Sequence, residues 1–124
     1  MVIDSNIFID YLRAKEKSTT KFFQLLNESN SLFIFAVSVF ELYSGGTSEE
    51  KQKRIQNLIE DIPVLTFNNE IAVKAAQIFR QLKAKNQLIE FRDIFIGATC
   101  IIHNLPIITL NKKHFERIEG LEIA

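Results

Sequence analysis

Four polar side chains stand where apolar runs begin, break or end, and their types suit one kind of chemistry. Asp4 follows the apolar start MVI, Glu41 interrupts the run LFIFAVSVFELY, Asp93 heads DIFIGATCII, and Asn111 lies two residues beyond LPIIT. Glu41 is the one formal charge between Glu28 and Glu49. An ionised carboxylate among apolar neighbours costs several kcal/mol unless something pairs with it. Carboxylates gathered in one place also repel one another and resist ionising together. A divalent cation resolves both conflicts, and hard oxygen donors suit Mg2+, with Mn2+ as an alternative, rather than Zn2+. A carboxylate-held Mg2+ can activate water and stabilise charge on a phosphodiester during in-line displacement. No nucleophilic Ser–His or Cys–His pair is evident beside these acids, and no glycine-rich phosphate loop appears.

The elements between these residues alternate in type. Met1–Ile3 starts a strand that ends at Asp4, and Ser5–Arg13 has the apolar spacing of a helix. Ser18–Ser29 reads as a second helix with a stripe of Phe22, Phe23, Leu25 and Leu26, followed by a buried strand over Leu32–Ala36. Val37, Phe40 and Tyr43 recur every third residue, which favours a helix over Val37–Ser44, closed by Gly45 and Gly46. Thr47 and Glu50 offer a capping box for a helix reaching about Glu60. Ile62–Phe67 is a strand, and Asn68 or Asn69 caps a long helix striped by Ala72, Ala75, Ala76, Phe79 and Leu82. Asp93 opens a helix over Ile94–His103, apolar nearly all round and therefore expected to be central. Leu105–Thr109 is a strand, Asn111–Arg117 a short helix, and Leu121–Ile123 a candidate edge strand. Strand–helix alternation of this kind builds a parallel sheet with helices on both faces. Ligands of such sheets bind beyond the carboxyl ends of the strands, and acids about forty to fifty residues apart are what successive βα units deliver there.

Length and composition set outer limits. A chain of 124 residues with 47% hydrophobic content fits one domain over residues 1–124 and leaves no room for a second. Fifteen basic and fifteen acidic residues cancel, so any contact with nucleic acid must come from local clustering. A single cysteine, Cys100, excludes an internal disulfide framework and suits a reducing compartment; it is expected to pack in the core. The start MVIDSNIFIDYLR has no basic n-region, and Ile94–Asn111 is too polar in its middle to span a membrane, so the expected location is cytoplasmic.

Four stretches, VIDSNIFIDYLR, AVSVFELYSGG, FRDIFIGATCIIHNLPIIT and LNKKHFERIEGLEI, occur in an order and register that resemble PIN-domain ribonucleases, most closely the VapC toxins of VapBC toxin–antitoxin systems. The resemblance covers essentially the whole chain. It implies an α/β, PIN-like three-layer sandwich with a central parallel sheet of four or five strands flanked by helices. It also implies a Mg2+-dependent, single-strand-specific endoribonuclease that cleaves tRNA or rRNA through metal-activated water, a cognate VapB-like antitoxin, and a homodimer. On the matching positions, Asp4, Asp93 and Glu41 become metal ligands and Asp4, Glu41, Asp93 and Asn111 the catalytic set. Asn6, Ser38 and Thr109 become supporting residues. The chain departs from the family pattern twice: Asn111 stands where some members have a fourth acid, and Gly97 stands where alanine is common.

The remaining candidates weigh less. Arg92 is read as a solvated or RNA-facing charge, Lys112, Lys113 and Arg117 as a phosphate-contacting rim, and His114 as a further candidate contact to phosphate. His103, Glu90 and Glu116 are read as surface residues, and some of Phe8, Phe22 and Phe23 as sides of the antitoxin groove. One competing reading is a catalytically degenerate PIN domain acting as an RNA- or protein-binding module. Another is a phosphoryl-transfer protein with an aspartate after the first strand. The second is disfavoured because Asn6 stands where a DxD phosphatase needs an acid, and TFNN follows the third strand where a receiver domain needs an aspartate.

Overall fold

The structure is a computed structural model and describes residues 1–28 and 30–124. Its centre is a four-stranded parallel sheet in the order β3-β2-β1-β4. The strands are short: β1 (Val2–Ile3), β2 (Phe33–Phe35), β3 (Val64–Leu65) and β4 (Ile107–Ile108). The apolar runs around them are longer, but only two or three residues of each find ladder partners. The expected fifth strand reduces to one parallel bridge between Ile123 and Ile107.

Alternation along each strand sorts the core into two layers, because successive side chains point to opposite faces. Val2, Phe35 and Ile107 face one way; Ile3, Ile34 and Ile108 face the other. The first face is covered by α5 (Asn69–Ala84) and α6 (Phe91–Ile102), with Phe115 of α7 (Lys112–Phe115). The second is covered by α1 (Ser5–Arg13), α2 (Lys21–Leu26), α3 (Ala36–Ser44) and α4 (Glu49–Ile59).

Side-chain caps set the starts of α2, α4 and α5. Thr20 caps α2 by accepting from the Phe23 amide, so the expected start at Ser18 is instead a 3-10 turn over Lys17–Thr19. The expected end of that helix, Ser29, lies outside the described residues. Ser48, not Thr47, caps α4 through the Lys51 amide, and Asn68 caps α5 through Ile71. The buried stripe of α5 is Ile71, Ala75, Ile78 and Leu82. Ala76 is exposed, and the expected Ala72–Ala76–Phe79 line instead flanks an open apolar groove against α6. α6 begins at Phe91, two residues before Asp93, and is buried nearly all round as its sequence implies.

Gly97 has a packing reason. A Cβ there would lie 2.6 Å from Ile118 Cδ1, too close for any real pair. Gly97→Ala gains about 1 kcal/mol of helix propensity but forces a shift of Ile118 that costs about 1–3 kcal/mol. We expect the substitution to lower the denaturation midpoint alone, and to raise it in an Ile118→Val background, which lacks Cδ1. A midpoint that rises equally in both backgrounds contradicts this reading.

Candidate active site

The strand order places the site. The chain runs outward from β1 to β2 to β3, then returns to add β4 on the other side of β1. The direction of winding reverses between β1 and β4, which is where open α/β sheets leave a crevice at the carboxyl edge. Asp4 follows β1 there, Thr109 follows β4, and α3, leaving β2 without a loop, brings Glu41 to the same edge. Asp93 arrives from the first turn of α6.

Asp4 occupies the N-cap position of α1 yet makes no capping hydrogen bond. Its carboxylate is wholly buried and turned to other partners. Oδ1 accepts from Arg92 Nη2 at 2.6 Å and Oδ2 from Thr109 Oγ1 at 2.8 Å. Thr109 uses its full capacity: it donates to Asp4 and accepts from Asn6 Nδ2 at 3.2 Å and from the Asn111 amide at 3.0 Å. Asn6 also accepts from the Leu110 amide at 3.2 Å, which ties α1 to the turn after β4. These four residues form one network that orients Asp4.

Arg92 is where the structure departs from expectation. Instead of facing solvent or RNA, its guanidinium lies among the acids. Nη2 donates to Asp4 Oδ1 at 2.6 Å and Glu41 Oε1 at 2.7 Å, and Nη1 to Asp93 Oδ1 at 2.6 Å. Nε reaches Glu41 Oε1 at 3.1 Å, and Ser5 Oγ, a residue sequence reasoning missed, accepts from Nη2 at 3.1 Å. The cause is electrostatic. Asp4 and Asp93 side chains are 1% and 4% exposed, and ions that deprived of water require a cation or a set of donors. Burial works against the guanidinium's charge. The hydrogen bond and charge of Asp4, with the bonds from Glu41 and Asp93, more than offset it, and Arg92 remains charged at any working pH. The clue in the sequence was an arginine directly beside a buried acid in a site otherwise without a cation.

Three carboxylates against one guanidinium leave two negative charges, and every ligating atom is a hard oxygen, so the donor set suits Mg2+ or Mn2+. The spacing is another matter. Among the described residues, no three His, Cys, Asp or Glu side chains converge tightly enough to hold one ion. Arg92 lies among the acids and donates to all three.

The other expected residues divide. Asn111 directs its amide to His114 Nδ1 at 2.8 Å rather than to the carboxylates, and His114 Nδ1 lies 3.1 Å from Asp93 Oδ2. A protonated Nδ1 donates to Asp93, and an unprotonated one accepts from Asn111. His114 therefore sits at the site, while Lys112 and Lys113 are exposed on the turn of helix beside it. Ser38, expected to bond within the site or cap its turn, is buried with no hydrogen-bond partner for Oγ among the described residues. Cys100 is sealed in the core as expected. Burial, then the charge of Asp4, pushes its thiol up to about 12, so it carries no charge at neutral pH.

Fold and site together define a PIN domain, and the chain matches the PIN-domain family over residues 1–121. It is 32% identical over 126 residues to Ribonuclease VapC1 of Methanocaldococcus jannaschii, covering 99% of this chain and 85% of that protein. It is 27% identical over 124 residues to the tRNA(fMet)-specific endonuclease VapC of Shigella flexneri, covering 97% and 92%. DNA-bound VapBC from Salmonella typhimurium superposes with a TM-score of 0.85 at 25% identity, covering 99% and 95%. The chain belongs to the VapC ribonucleases of the PIN-domain family.

Proposed function

We propose that the protein is the toxin of a VapBC-type pair, a Mg2+-dependent, single-strand-specific endoribonuclease acting on tRNA or rRNA in the cytoplasm. The observation that carries this is the meeting of Asp4, Glu41 and Asp93, from three separate elements, around one position at the carboxyl edge of the sheet. Asp4 and Asp93 would hold the metal directly, and Glu41 directly or through water. Bound there, the ion supplies the Lewis acidity that activates water and stabilises charge on the scissile phosphate. The chain's own residues do the rest. Thr109 and Asn6 aim Asp4, His114 steadies Asp93, and Lys112 and Lys113 offer charge to the RNA backbone. The tRNA reading draws on the name of the Shigella relative.

A cleft beside the acids, lined by Ile9, Leu12, Arg13, Glu41, Leu42 and Ile55, supports an antitoxin seated next to the site. Phe40 and Leu26 are exposed nearby on α3 and α2. Phe8 and Phe22, expected in that groove, are buried in the core, and Phe23 alone of the three reaches the surface. On the opposite layer, exposed Phe67 and Phe91 extend a chain of rings through Phe95 and Phe79 and support a homodimer. No helix among the described residues is long and apolar enough to cross a membrane.

The competing reading is a degenerate PIN domain that binds without cutting, favoured by the presence of Arg92 among the acids. One preparation separates them. The purified chain, free of any antitoxin and with its mass measured by light scattering, is incubated with single-stranded RNA and Mg2+. Cleavage that scales with protein, stops with EDTA and returns with excess Mg2+ or Mn2+ is expected. RNA left intact under all these conditions supports the binding module instead.

A further inference from the structure

Arg92 is bonded to all three carboxylates of the cluster, and this bears on how a metal enters. Oxygens sharing one Mg2+ sit about 2.1 Å from the ion and roughly 3 Å from each other. Asp4 Oδ1 and Glu41 Oε1 share Arg92 Nη2, at 2.6 and 2.7 Å, and Asp93 Oδ1 takes Nη1 at 2.6 Å, so the guanidinium fills the space among these oxygens. An ion bound to these oxygens and the guanidinium bonded to them exclude one another, and no ion-sized cluster exists among the described residues with Arg92 in place. The arginine is not locked in. It projects from the first turn of α6, its side chain is 22% exposed, and Glu41 beside it is 30% exposed. Its long stem can swing outward without disturbing either core layer.

We propose that Arg92 is a displaceable internal cation. In the metal-free protein it offsets one of the three negative charges and bonds to all three acids. A divalent cation must compete with it for the same oxygens, and binding of that cation expels the guanidinium from between Asp4, Glu41 and Asp93. The arginine thereby keeps the buried acids compatible with folding before metal arrives, and sets a threshold of metal concentration for assembly of the site. This rests on the metal reading above.

The test measures binding rather than cleavage. Mn2+ affinity of the full chain is determined by titration calorimetry for wild type, Arg92→Lys and Arg92→Gln. Removing the competing charge is expected to tighten Mn2+ binding by about ten-fold or more in Arg92→Gln, with Arg92→Lys in between. A second measurement needs no variant. In 15N-labelled wild type, the Arg92 Nε–H signal is expected to be slow to exchange without metal, and to move and exchange faster when Mg2+ saturates the protein. Equal or weaker Mn2+ binding by Arg92→Gln overturns the competition, as does an Arg92 signal unmoved at saturation, and either leaves the metal reading standing. No Mn2+ binding by any of the proteins overturns both.

Discussion

Asp93→Asn is expected to cut RNA cleavage on the order of 10²–10³-fold, the loss that follows removal of one group placed to stabilise charge in the transition state, while the protein stays folded. The side chain keeps its shape, and its two oxygens face Arg92 at 2.6 Å and His114 at 3.1 Å, contacts that an amide retains in part. What it loses is charge. With one acid neutralised, Arg92 balances half of the remaining negative charge, and the pull on a divalent cation falls accordingly. Asp4→Asn acts in the same way and has a sharper control. Its Oδ2 accepts from Thr109, so a correctly turned amide preserves the Thr109–Asn6 network. Cleavage rates, circular dichroism and thermal midpoints of both variants settle the matter. Cleavage within ten-fold of wild type in both would remove these carboxylates from the catalytic set.

The second large effect is on stability. Phe8 is completely buried on α1, with its ring 5.1 Å from that of Phe22, in the layer beneath Ile3, Ile34 and Ile108. Phe8→Ala deletes a large ring where the surroundings can relax only partly, and costs about 3–5 kcal/mol. A domain of this size has about 5–15 kcal/mol in total, so the variant should unfold at much lower urea. Phe8→Leu, which refills most of the space, should cost far less. The consequence reaches the site because α1 begins directly after Asp4 and carries Asn6. A urea midpoint unchanged by Phe8→Ala would mean that α1 is not anchored through this ring.

Much of the architecture was legible without coordinates. Alternating apolar runs and cap residues implied the strand–helix order, and α1, α3, α4 and α6 fall close to their expected spans. Errors of one to three residues arose at ends, and at the starts of α2 and α4 a single side-chain cap decides. Ser48 rather than Thr47 starts α4, and Thr20 rather than Ser18 starts α2. Of the expected stripe of α5, Ala75 and Leu82 are buried, while Ile71 and Ile78 are buried in place of Ala72 and Phe79. Its neighbours on both sides are apolar, so periodicity alone could not choose the inward face.

The sequence by itself determined which chemistry is available. It places acids at Asp4, Glu41 and Asp93, each at the end or break of an apolar run, and βα connectivity carries such residues to one edge of a parallel sheet. Only the tertiary structure decided how those charges are balanced. Arg92 lies 88 residues from Asp4 and 51 from Glu41 along the chain, and its position beside Asp93 names neither of them as a partner. The same holds for Thr109, which reaches Asp4 across 105 residues, and for His114, which reaches Asp93 across 21. Local propensity acts over a few residues. The desolvation that compels a buried acid to find a cation acts only once the chain has closed around it.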